Sequence, residues 1–388
     1  MKTVIAIDSF KESVSSAQAA QAVKAGLLSV CPDMETHIFQ LADGGEGTVD
    51  AITTGCGGEF VSRDVVSCSG GTVRAKYGVI RSRGTAVIEV ASAAGLALIP
   101  LSERNPLNAT SYGVGELILD AMEQGYRRFI IGLGGSATND GGIGMLQALG
   151  YRFLDCDGRC VGRFGRDVER IAAVDFSGRD ARLDACSFLL ASDVNNPLCG
   201  ETGASEIFGP QKGADVGMVA RLDKSLESYA KVTQKALGKD VSRIPGAGAA
   251  GGLGFAFMAY LNAKMSPGVD TVIEMTNMEQ AIAQSDLVIT GEGRLDRQTS
   301  MGKAPMGIAR LAKKHRKLVV AIAGCVSDGA EECNRIGIDA YFPVLQTPVS
   351  LGEALEIDRT LENITKTARQ LFRLIDAVAE GHEIEGKC

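Results

Sequence analysis

The sequence predicts an α/β fold of two domains, in which a discontinuous, Rossmann-like parallel-sheet domain carries a second, mixed α/β domain inserted into it. Both ends of the chain alternate short apolar runs with amphipathic segments, as βαβ units do. The middle instead contains short alternating segments separated by glycine and serine. The 388 residues also exceed the size at which a single hydrophobic core usually keeps growing.

These patterns place the domain junctions near residues 70 and 280. We expect the Rossmann-like domain at residues 1–70 with 281–388, and the inserted mixed α/β domain at residues 71–280. Ligand sites occur preferentially where domains meet. The active site is therefore expected in the interdomain cleft.

Charge and composition exclude several classes of partner. The net charge is −7, with 40 basic and 47 acidic residues interspersed, and no basic stripe carries interleaved aromatics, so nucleic acid is not an expected partner. No apolar run approaches the length of a membrane span, and the chain starts directly with a strand pattern. We expect a cytoplasmic protein without a membrane partner. The ten cysteines lack zinc-site spacing, which predicts reduced thiols.

The first two strand patterns end in polar loops. The strand TVIAID ends on Asp8, which Ser9 and Lys11 follow before a helix pattern. A second strand, residues 36–41, leads into ADGGEGT, which contains Asp43. Parallel sheets bind ligands outside the carboxyl ends of their strands, so chemistry is expected at these loops. Simple helix caps and a solvated lysine are the alternative.

The central glycine loop comes after two other patterns. Three segments within residues 59–89 are typical of hairpin-linked strands, and residues 108–125 show a helix pattern. An apolar run, residues 129–133, enters Gly134, Gly135 and Ser136 and continues through Asp140 into a helix. Glycines let backbone amides approach an oxyanion closely, and a helix start adds positive potential. The loop therefore suits a phosphate or carboxylate, with Asp140 facing a metal or a hydroxyl. A capped turn is the alternative.

Two further polar loops follow an irregular region at residues 151–183. The strand SFLLASD ends on Asp193 beside an asparagine-rich turn, and Lys212 is a cation among glycines. The spacing Gly246-x-Gly248-x-x-Gly251 matches a dinucleotide fingerprint, but the preceding VSRI is too short and polar to supply the required strand. The glycines are better explained by close packing against a nucleotide or against the central glycine loop.

The last third of the chain returns to βαβ alternation. The strand at residues 287–290 opens into a polar segment that contains Glu292, Arg294, Asp296 and Lys303. A helix at residues 305–314 and a strand at 318–323 follow. The final helix pattern, Ile357 to Glu380, is expected to act as a terminal clasp.

The chemistry-bearing residues are acids and cations on loops. The three histidines lie in ordinary elements and no P-loop motif occurs, so a histidine triad or a Walker-type site is not supported. Carboxylates can hold Mg²⁺, one Asp can accept a hydroxyl proton, and Lys or Arg can offset phosphoryl charge. The loop set that predicts this chemistry is Asp8, Asp43, Glu46, Asp140, Asp193, Glu292 and Asp296 with Lys11, Lys212, Arg294 and Lys303.

Seven motifs in order also resemble one family across essentially the whole chain. They are DSFKESVSS, ADGGEGT, GLGGSATNDGGIG, ASDVNNPLCG, FGPQKGA, PGAGAAGGLG and TGEGRLDRQTSMGK. They resemble the bacterial glycerate kinases of the glycerate kinase type-1 family. The resemblance implies ATP- and Mg²⁺-dependent phosphorylation of D-glycerate, at the 2-hydroxyl, to give 2-phosphoglycerate. One departure is Glu12, where the family often has glycine.

The residues and the resemblance together predict roles for individual side chains. We expect Asp193 to be the base, with Asp296 as the second candidate and Lys11 as a catalytic cation. The predicted substrate-binding residues are Asp8, Ser9, Asp43, Arg294 and Lys303, and the predicted nucleotide-binding residues are Gly134, Gly135, Ser136, Lys212, Gly246, Gly248 and Gly251. The metal candidates are Asp193, Glu292 and Asp140.

Several alternatives stay open at this stage. A kinase for another small hydroxy acid, or phosphorylation at the 3-hydroxyl, would need only one or two different pocket contacts. Two interpretations outside the kinases are a non-catalytic sensor of small anions and a nicotinamide oxidoreductase. The sequence does not determine the oligomeric state, and a homodimer is one option.

Overall fold

A computed structural model describes residues 1–300 and 302–379 of the chain. Its strands are β1 (Lys2–Ile7), β2 (Glu35–Gln40), β3 (Glu59–Val66), β4 (Thr72–Ile80), β5 (Thr85–Glu89), β6 (Arg128–Gly132), β7 (Arg152–Leu154), β8 (Ala173–Asp175), β9 (Ser187–Ala191), β10 (Lys264–Ser266), β11 (Leu287–Leu295), β12 (Leu318–Val326) and β13 (Ala340–Pro343). Its α-helices are α1 (Ser16–Leu28), α2 (Thr48–Gly55), α3 (Ala91–Ala94), α4 (Tyr112–Glu123), α5 (Ile143–Ala148), α6 (Ala204–Phe208), α7 (Val216–Leu237), α8 (Ala249–Tyr260), α9 (Gly268–Thr276), α10 (Met278–Gln284), α11 (Arg297–Ser300), α12 (Ala304–Lys314), α13 (Glu332–Ile336), α14 (Leu351–Ala354) and α15 (Ile357–Ala379).

The chain forms two compact units. The first unit contains Met1–Ala42 and the chain from Val272 onward, and the second contains Asp43–Thr271. The first unit is thus discontinuous in sequence, with the second inserted into it. The junctions fall at residues 42/43 and 271/272, whereas the sequence analysis places them near residues 70 and 280.

The first unit is built on a parallel five-stranded sheet in the order β13-β12-β11-β1-β2. Strands β1 and β12 read as apolar runs, as expected where helices cover a parallel sheet on both faces. Four residues of β1, Val4 to Ile7, are completely buried, and Ile7 pairs with Gly291 of β11 on one side and Gln40 of β2 on the other. This is the Rossmann-like domain that the sequence predicts.

The final helix, α15, packs along α1 in the first unit. A Cβ atom at Gly26 would lie 2.5 Å from the carbonyl oxygen of Thr365, so glycine is needed where the two helices approach each other. The hydroxyl of Thr365 donates to the carbonyl of Ala22 at 3.2 Å. Ile364, Ala368 and Phe372 of α15 are buried in the same core, which is the clasp expected from the sequence. The predicted end at Glu380 lies outside the described residues.

The second unit contains a mixed six-stranded sheet in the order β10-β9-β6-β5-β4-β3. Strands β3, β4 and β5 form an antiparallel meander, as predicted for residues 59–89, and the other neighbours pair in parallel. The region at 151–183, predicted to be irregular, contains the antiparallel pair β7 and β8. Helix α8 is buried along its whole length, consistent with its almost entirely apolar sequence.

Three strands of this sheet end in line, and this alignment positions the site described below. Glu89 at the end of β5 pairs with Gly132 of β6, and Gly132 pairs with Ala191 of β9. Because the strands are parallel, the loops that follow them emerge at one edge of the sheet.

Glu12 adopts a backbone conformation that favours glycine. Its φ is 66°, in the left-handed region that is unfavourable for a residue with a Cβ. A glycine at this position would adopt the conformation without strain.

No helix among residues 1–300 and 302–379 is long and apolar enough to cross a membrane. Within the described residues, no disulfide is formed by Cys68, Cys156, Cys160, Cys186, Cys199, Cys325 or Cys333.

We expect Phe372→Ala to destabilise the first unit by about 3–5 kcal/mol, because it removes a completely buried ring from the α15 interface. Leu374→Ala is the matched control, since this side chain on the same helix is 56% exposed and its loss should cost less than about 0.5 kcal/mol. Urea unfolding monitored by circular dichroism measures both. Equal effects of the two substitutions would contradict the packing role assigned to α15.

Candidate functional site

The candidate site of the second unit is an edge of the mixed sheet where three loops meet. The backbone N–H of Gly134, just after β6, donates to the carbonyl of Gly44 at 3.0 Å, and Leu133 N–H donates to Ala191 at 3.3 Å. Gly44 has a φ of +86°, and a Cβ there would lie 2.3 Å from the Ala191 carbonyl oxygen. The loop at residues 43–47 can therefore lie against β6 and β9 only because residue 44 is glycine.

Asp43 and Asp193, two predicted site residues, lie on either side of Gly268. The Oδ1 atom of Asp193 accepts a hydrogen bond from the Gly268 N–H at 2.9 Å. A Cβ on Gly268 would lie 2.1 Å from the carbonyl carbon of Asp43. Asp193 is exposed and Asp43 is partly exposed, so both can be reached by a small molecule. The structure thus joins a predicted base with a predicted substrate-binding residue.

The central glycine loop offers backbone amides at two of its three predicted positions. The Gly134 amide is engaged with Gly44, as described above. Among the described residues, the amides of Gly135 and Ser136 donate to no backbone carbonyl. Gly135 is exposed, with a φ of +71°. Ser136 is only 5% exposed, so the Gly135 amide is the group of the loop best placed to bind an anion.

Lys212 supports this loop from the protein interior. Its side chain is 2% exposed, and its Nζ donates to the Ser136 hydroxyl at 3.2 Å and to the Thr138 carbonyl at 2.6 Å. Burial lowers the pKa of Lys212 to about 7, while the charge of Asp140 opposes this shift. The predicted phosphate-binding cation therefore acts on the loop itself.

Asp140 is completely buried and its carboxylate is occupied by protein donors. It accepts hydrogen bonds from the Ser111 amide at 2.8 Å, the Ser111 hydroxyl at 2.7 Å and the Gly142 amide at 3.0 Å. Burial raises the pKa of Asp140, although these hydrogen bonds oppose the shift. A metal at Asp140 would have to displace these donors, and the present contacts fasten the loop to the start of α4.

The three glycines of the dinucleotide-like motif are buried packing positions. The Gly248 amide donates to the Asn196 carbonyl at 3.0 Å, and a Cβ on Gly246 would lie 3.2 Å from the Val194 carbonyl oxygen. A Cβ on Gly251 would lie 2.0 Å from the Thr138 carbonyl oxygen. Gly251 thus packs against the central glycine loop, which is one of the two alternatives given above, whereas Gly246 and Gly248 pack against the loop that follows β9. The exposed amide expected at Gly248 for nucleotide binding is not present.

The first unit has its own polar cluster, at the carboxyl end of β11. Glu292 is 8% exposed, and its Oε1 accepts a hydrogen bond from the Thr299 hydroxyl at 2.5 Å. The Nζ of Lys303 lies 3.7 Å from Glu292 Oε2 and 3.6 Å from Asp296 Oδ1. The structure therefore brings together three predicted site residues, with Thr299 as a shared hydrogen-bond partner.

The pKa values of the two carboxylates of this cluster, Glu292 and Asp296, are shifted in opposite directions. Burial raises the pKa of Glu292, against the Thr299 hydrogen bond and the Lys303 charge. For Asp296 the burial effect is outweighed by the Thr299 amide and the Lys303 charge, which lower its pKa. Asp296 is thus the more strongly ionised group and the weaker base of the two.

The remaining predicted residues of the first unit lie near the ends of β1 and β11. Asp8 is buried, and its Oδ1 accepts a hydrogen bond from the Ser9 backbone N–H at 2.7 Å. A Cβ on Gly293 would lie 3.5 Å from the backbone nitrogen of Lys11, so the loop after β1 runs beside β11. The side chains of Lys11 and Arg294 are exposed.

A conventional metal centre is absent from residues 1–300 and 302–379, since no three His, Cys, Asp or Glu side chains there converge on a common point. The donor set therefore fits Mg²⁺ only in the form in which Mg²⁺ usually accompanies nucleotides, held by one or two carboxylates together with phosphate oxygens and water. Asp193 and Glu292 are the predicted ligands that could serve in this way.

Sequence reasoning missed three residues of the second unit that shape the site. Ser111 binds Asp140, Ser205 accepts a hydrogen bond from the Asn139 side chain at 2.9 Å, and Glu89 ends β5 beside the 43–47 loop. Glu89 carried a usable signal, because it is the polar end of the apolar run TAVIE. Ser205 carried none, since its pairing depends on a distant part of the chain.

Comparison with known proteins gives one consistent result. Residues 3–376 match a family model described as the glycerate kinase family. A glycerate kinase from Halalkalibacterium halodurans is 46% identical over 91% of this chain and 93% of its own length, and the glycerate 2-kinase of Escherichia coli K12 is 46% identical over 96% and 97%. A crystal structure from Salmonella typhimurium LT2, provisionally assigned as glycerate kinase 2, superposes with a TM-score of 0.87 at 43% identity, covering 98% of this chain and all of that one.

The packing of Gly251 against Thr138 predicts a steep cost for a side chain there. Gly251→Ala should destabilise the second unit by about 2–5 kcal/mol, because both left-handed strain and overlap with a carbonyl arise. Gly238→Ala is the matched control, since its φ of +70° is similar but no atom lies within 4 Å of the added Cβ. That change should cost only about 1–2 kcal/mol. Urea unfolding distinguishes them, and equal losses would refute the packing role.

Proposed function

Because the chain belongs to the glycerate kinase family, we propose that it transfers the terminal phosphoryl group of ATP to the 2-hydroxyl of D-glycerate, giving 2-phosphoglycerate and ADP. The observation that carries this proposal is the meeting of Asp193, Asp43 and the glycine loop at one sheet edge. The choice of the 2-hydroxyl is supported by the 46% identity to a relative named glycerate 2-kinase.

The proposed base is Asp193. A hydroxyl attacking the γ-phosphorus must lose its proton, and an exposed, oriented carboxylate can accept it. The Gly268 amide holds the Asp193 carboxylate at 2.9 Å and thereby limits its rotation. Asp296 remains the second candidate, and its lowered pKa makes it a weaker proton acceptor than a carboxylate of ordinary pKa.

We assign the nucleotide phosphates to the central glycine loop. The amides of Gly135 and Ser136 are the proposed ligands, and Lys212 supports them through the Ser136 hydroxyl. Gly134 contributes by its close approach to the 43–47 loop. Gly246, Gly248 and Gly251 act in this proposal as the packing support of the loop.

Substrate binding is assigned to charged and polar groups at loop positions. Lys11, Arg294 and Lys303 are the cations proposed for the carboxylate of glycerate, and Asp8, Ser9 and Asp43 are proposed for its hydroxyls. Lys11 is also the proposed cation for phosphoryl charge. When Mg²⁺ is bound, Asp193 or Glu292 would hold it, and the ion would offset charge on the phosphates. The cleft between the domains, the cytoplasmic location and a homodimer stay predictions.

The activity is tested by incubating the protein with ATP, Mg²⁺ and D-glycerate and coupling the product to enolase. Enolase acts on 2-phosphoglycerate directly. It acts on 3-phosphoglycerate only after an added mutase has converted it to 2-phosphoglycerate, so the assay determines which hydroxyl is phosphorylated. We expect a signal without the mutase. A signal only with it would assign the 3-hydroxyl. Turnover only with glycolate, lactate or tartronate would assign another hydroxy acid, and no ADP with any acid would favour an anion sensor.

Asp193→Asn should lower kcat by about 10²–10⁴-fold, because it removes the proton acceptor while keeping the side-chain shape. ATP affinity, measured by calorimetry without Mg²⁺, should change little. Asp223→Asn is the control, since Asp223 also accepts a backbone amide in the second unit, from Gly200 at 3.0 Å. Near-normal turnover of Asp193→Asn would exclude Asp193 as the base and move the assignment to Asp296.

A further inference from the structure

Glu89 connects the sheet edge to the start of α2. It is the last residue of β5 and pairs with Gly132 of β6. Its Oε1 accepts a hydrogen bond from the Val49 N–H at 2.7 Å, and Val49 is the second residue of α2. Carboxylates are stabilised at helix N-termini, where amides lack intrahelical partners and the helix dipole is positive. Glu89 therefore serves as an anchor for α2 that lies outside the helix.

The loop that α2 carries is the one that contains Asp43. Residues 43–47 immediately precede α2, and Gly47, with a φ of 92°, leads into the helix without a side-chain cap of its own. At its other end the loop contacts the sheet edge through Gly44 and Gly134, whose O and N atoms are 3.0 Å apart. The loop is thus attached at two points, by backbone at Gly44 and by Glu89 at the start of α2.

The surroundings of Glu89 make this second attachment sensitive to pH. Burial raises the pKa of Glu89 to about 7, the Val49 amide opposes the shift, Asp50 and Glu46 add to it, and Lys76 opposes it. Lys76 is itself paired with Asp50 at 2.7 Å. The ionised carboxylate is the stronger acceptor for an amide at a helix N-terminus. The anchor therefore strengthens as the pH rises through neutrality.

We propose that Glu89 is a positioning residue for phosphoryl transfer, which acts by anchoring α2 and so holding the 43–47 loop, with Asp43, at the sheet edge beside Gly134 and Ala191. This inference rests on the proposed function. Glu89 acts through the loop and does not itself accept the proton of the substrate. It extends the set of functional residues to the end of β5, so that all three aligned strands contribute.

The test compares the wild type with Glu89→Gln and Glu89→Ala in the glycerate kinase assay. Gln keeps an oxygen that can accept the Val49 amide but carries no charge, whereas Ala removes the anchor. We expect Glu89→Ala to raise the KM for D-glycerate about tenfold or more, with a smaller change in kcat, because ground-state binding by the loop is lost. Glu89→Gln should recover most of this loss.

The pH dependence provides a readout that a purely structural role would not give. The ratio of wild-type to Glu89→Gln kcat/KM should be near one below about pH 6 and rise about twofold to threefold above about pH 8, because only the wild type gains the charged anchor. Using the ratio removes the titrations that both proteins share. Glu116→Ala is the matched control, since the Glu116 carboxylate accepts the Val66 amide at 2.7 Å elsewhere in the second unit. That variant should show neither the KM effect nor the altered pH profile.

Hydrogen exchange measures the anchor independently of turnover. Amide exchange of residues 43–49 should be faster in Glu89→Ala than in the wild type, with Glu89→Gln between them. If Gln is as inactive as Ala at every pH, Glu89 is itself a catalytic acid or base and the positioning role is refuted. If the wild type is active and Glu89→Ala matches it in KM and exchange, this inference alone is overturned. If the wild type phosphorylates no hydroxy acid, the proposed function fails, and this inference fails with it.

Discussion

The site depends on the close approach of backbone to backbone at one sheet edge of the second unit. At Gly44, Gly251 and Gly268 an added Cβ would lie between 2.0 and 2.3 Å from a carbonyl oxygen or carbon of a neighbouring loop. Real Cβ atoms do not approach so closely, so each contact requires glycine. Glycines lose more conformational entropy on folding than other residues do. Side chains at these positions would hold the loops apart and would separate Asp43 from Asp193.

This packing also explains why two charged groups are buried beneath the loop. Charged groups that are buried beneath closely packed loops need protein partners. Asp140 accepts hydrogen bonds from Ser111 and Gly142, and Lys212 donates to Ser136 and Thr138. Removing one partner would leave a charge buried and unsatisfied, which costs several kcal/mol. The buried charges therefore fix the loop conformation more than they add to stability.

The fold was largely predictable because several of its parallel strands, such as β1 and β12, are continuous apolar runs. Errors arose where pairing depends on distant sequence: residues 291–295 resemble a loop, yet Arg294 pairs with Cys325 and extends β11 to Leu295. The predicted junction near residue 70 followed the change in strand pattern, which occurs within the second unit, whose first residue is Asp43. Composition changes inside a domain as well as between domains, so it locates a junction only approximately.

Sequence could place Asp43 and Asp193 at strand ends, but it could not show that Gly268 lies between them. That neighbour comes from the start of α9, 75 residues beyond Asp193. The same limit applies to the glycine motifs. Spacing alone cannot distinguish a glycine whose amide is free to face a ligand from one whose missing Cβ admits a neighbouring chain. Gly135, whose amide is proposed to bind phosphate, and Gly251, which packs against Thr138, illustrate the two cases within one unit. The distinguishing property is burial: Gly135 is exposed and Gly251 is buried. A glycine-rich fingerprint thus reports close backbone approach first, and ligand binding only where the backbone reaches solvent.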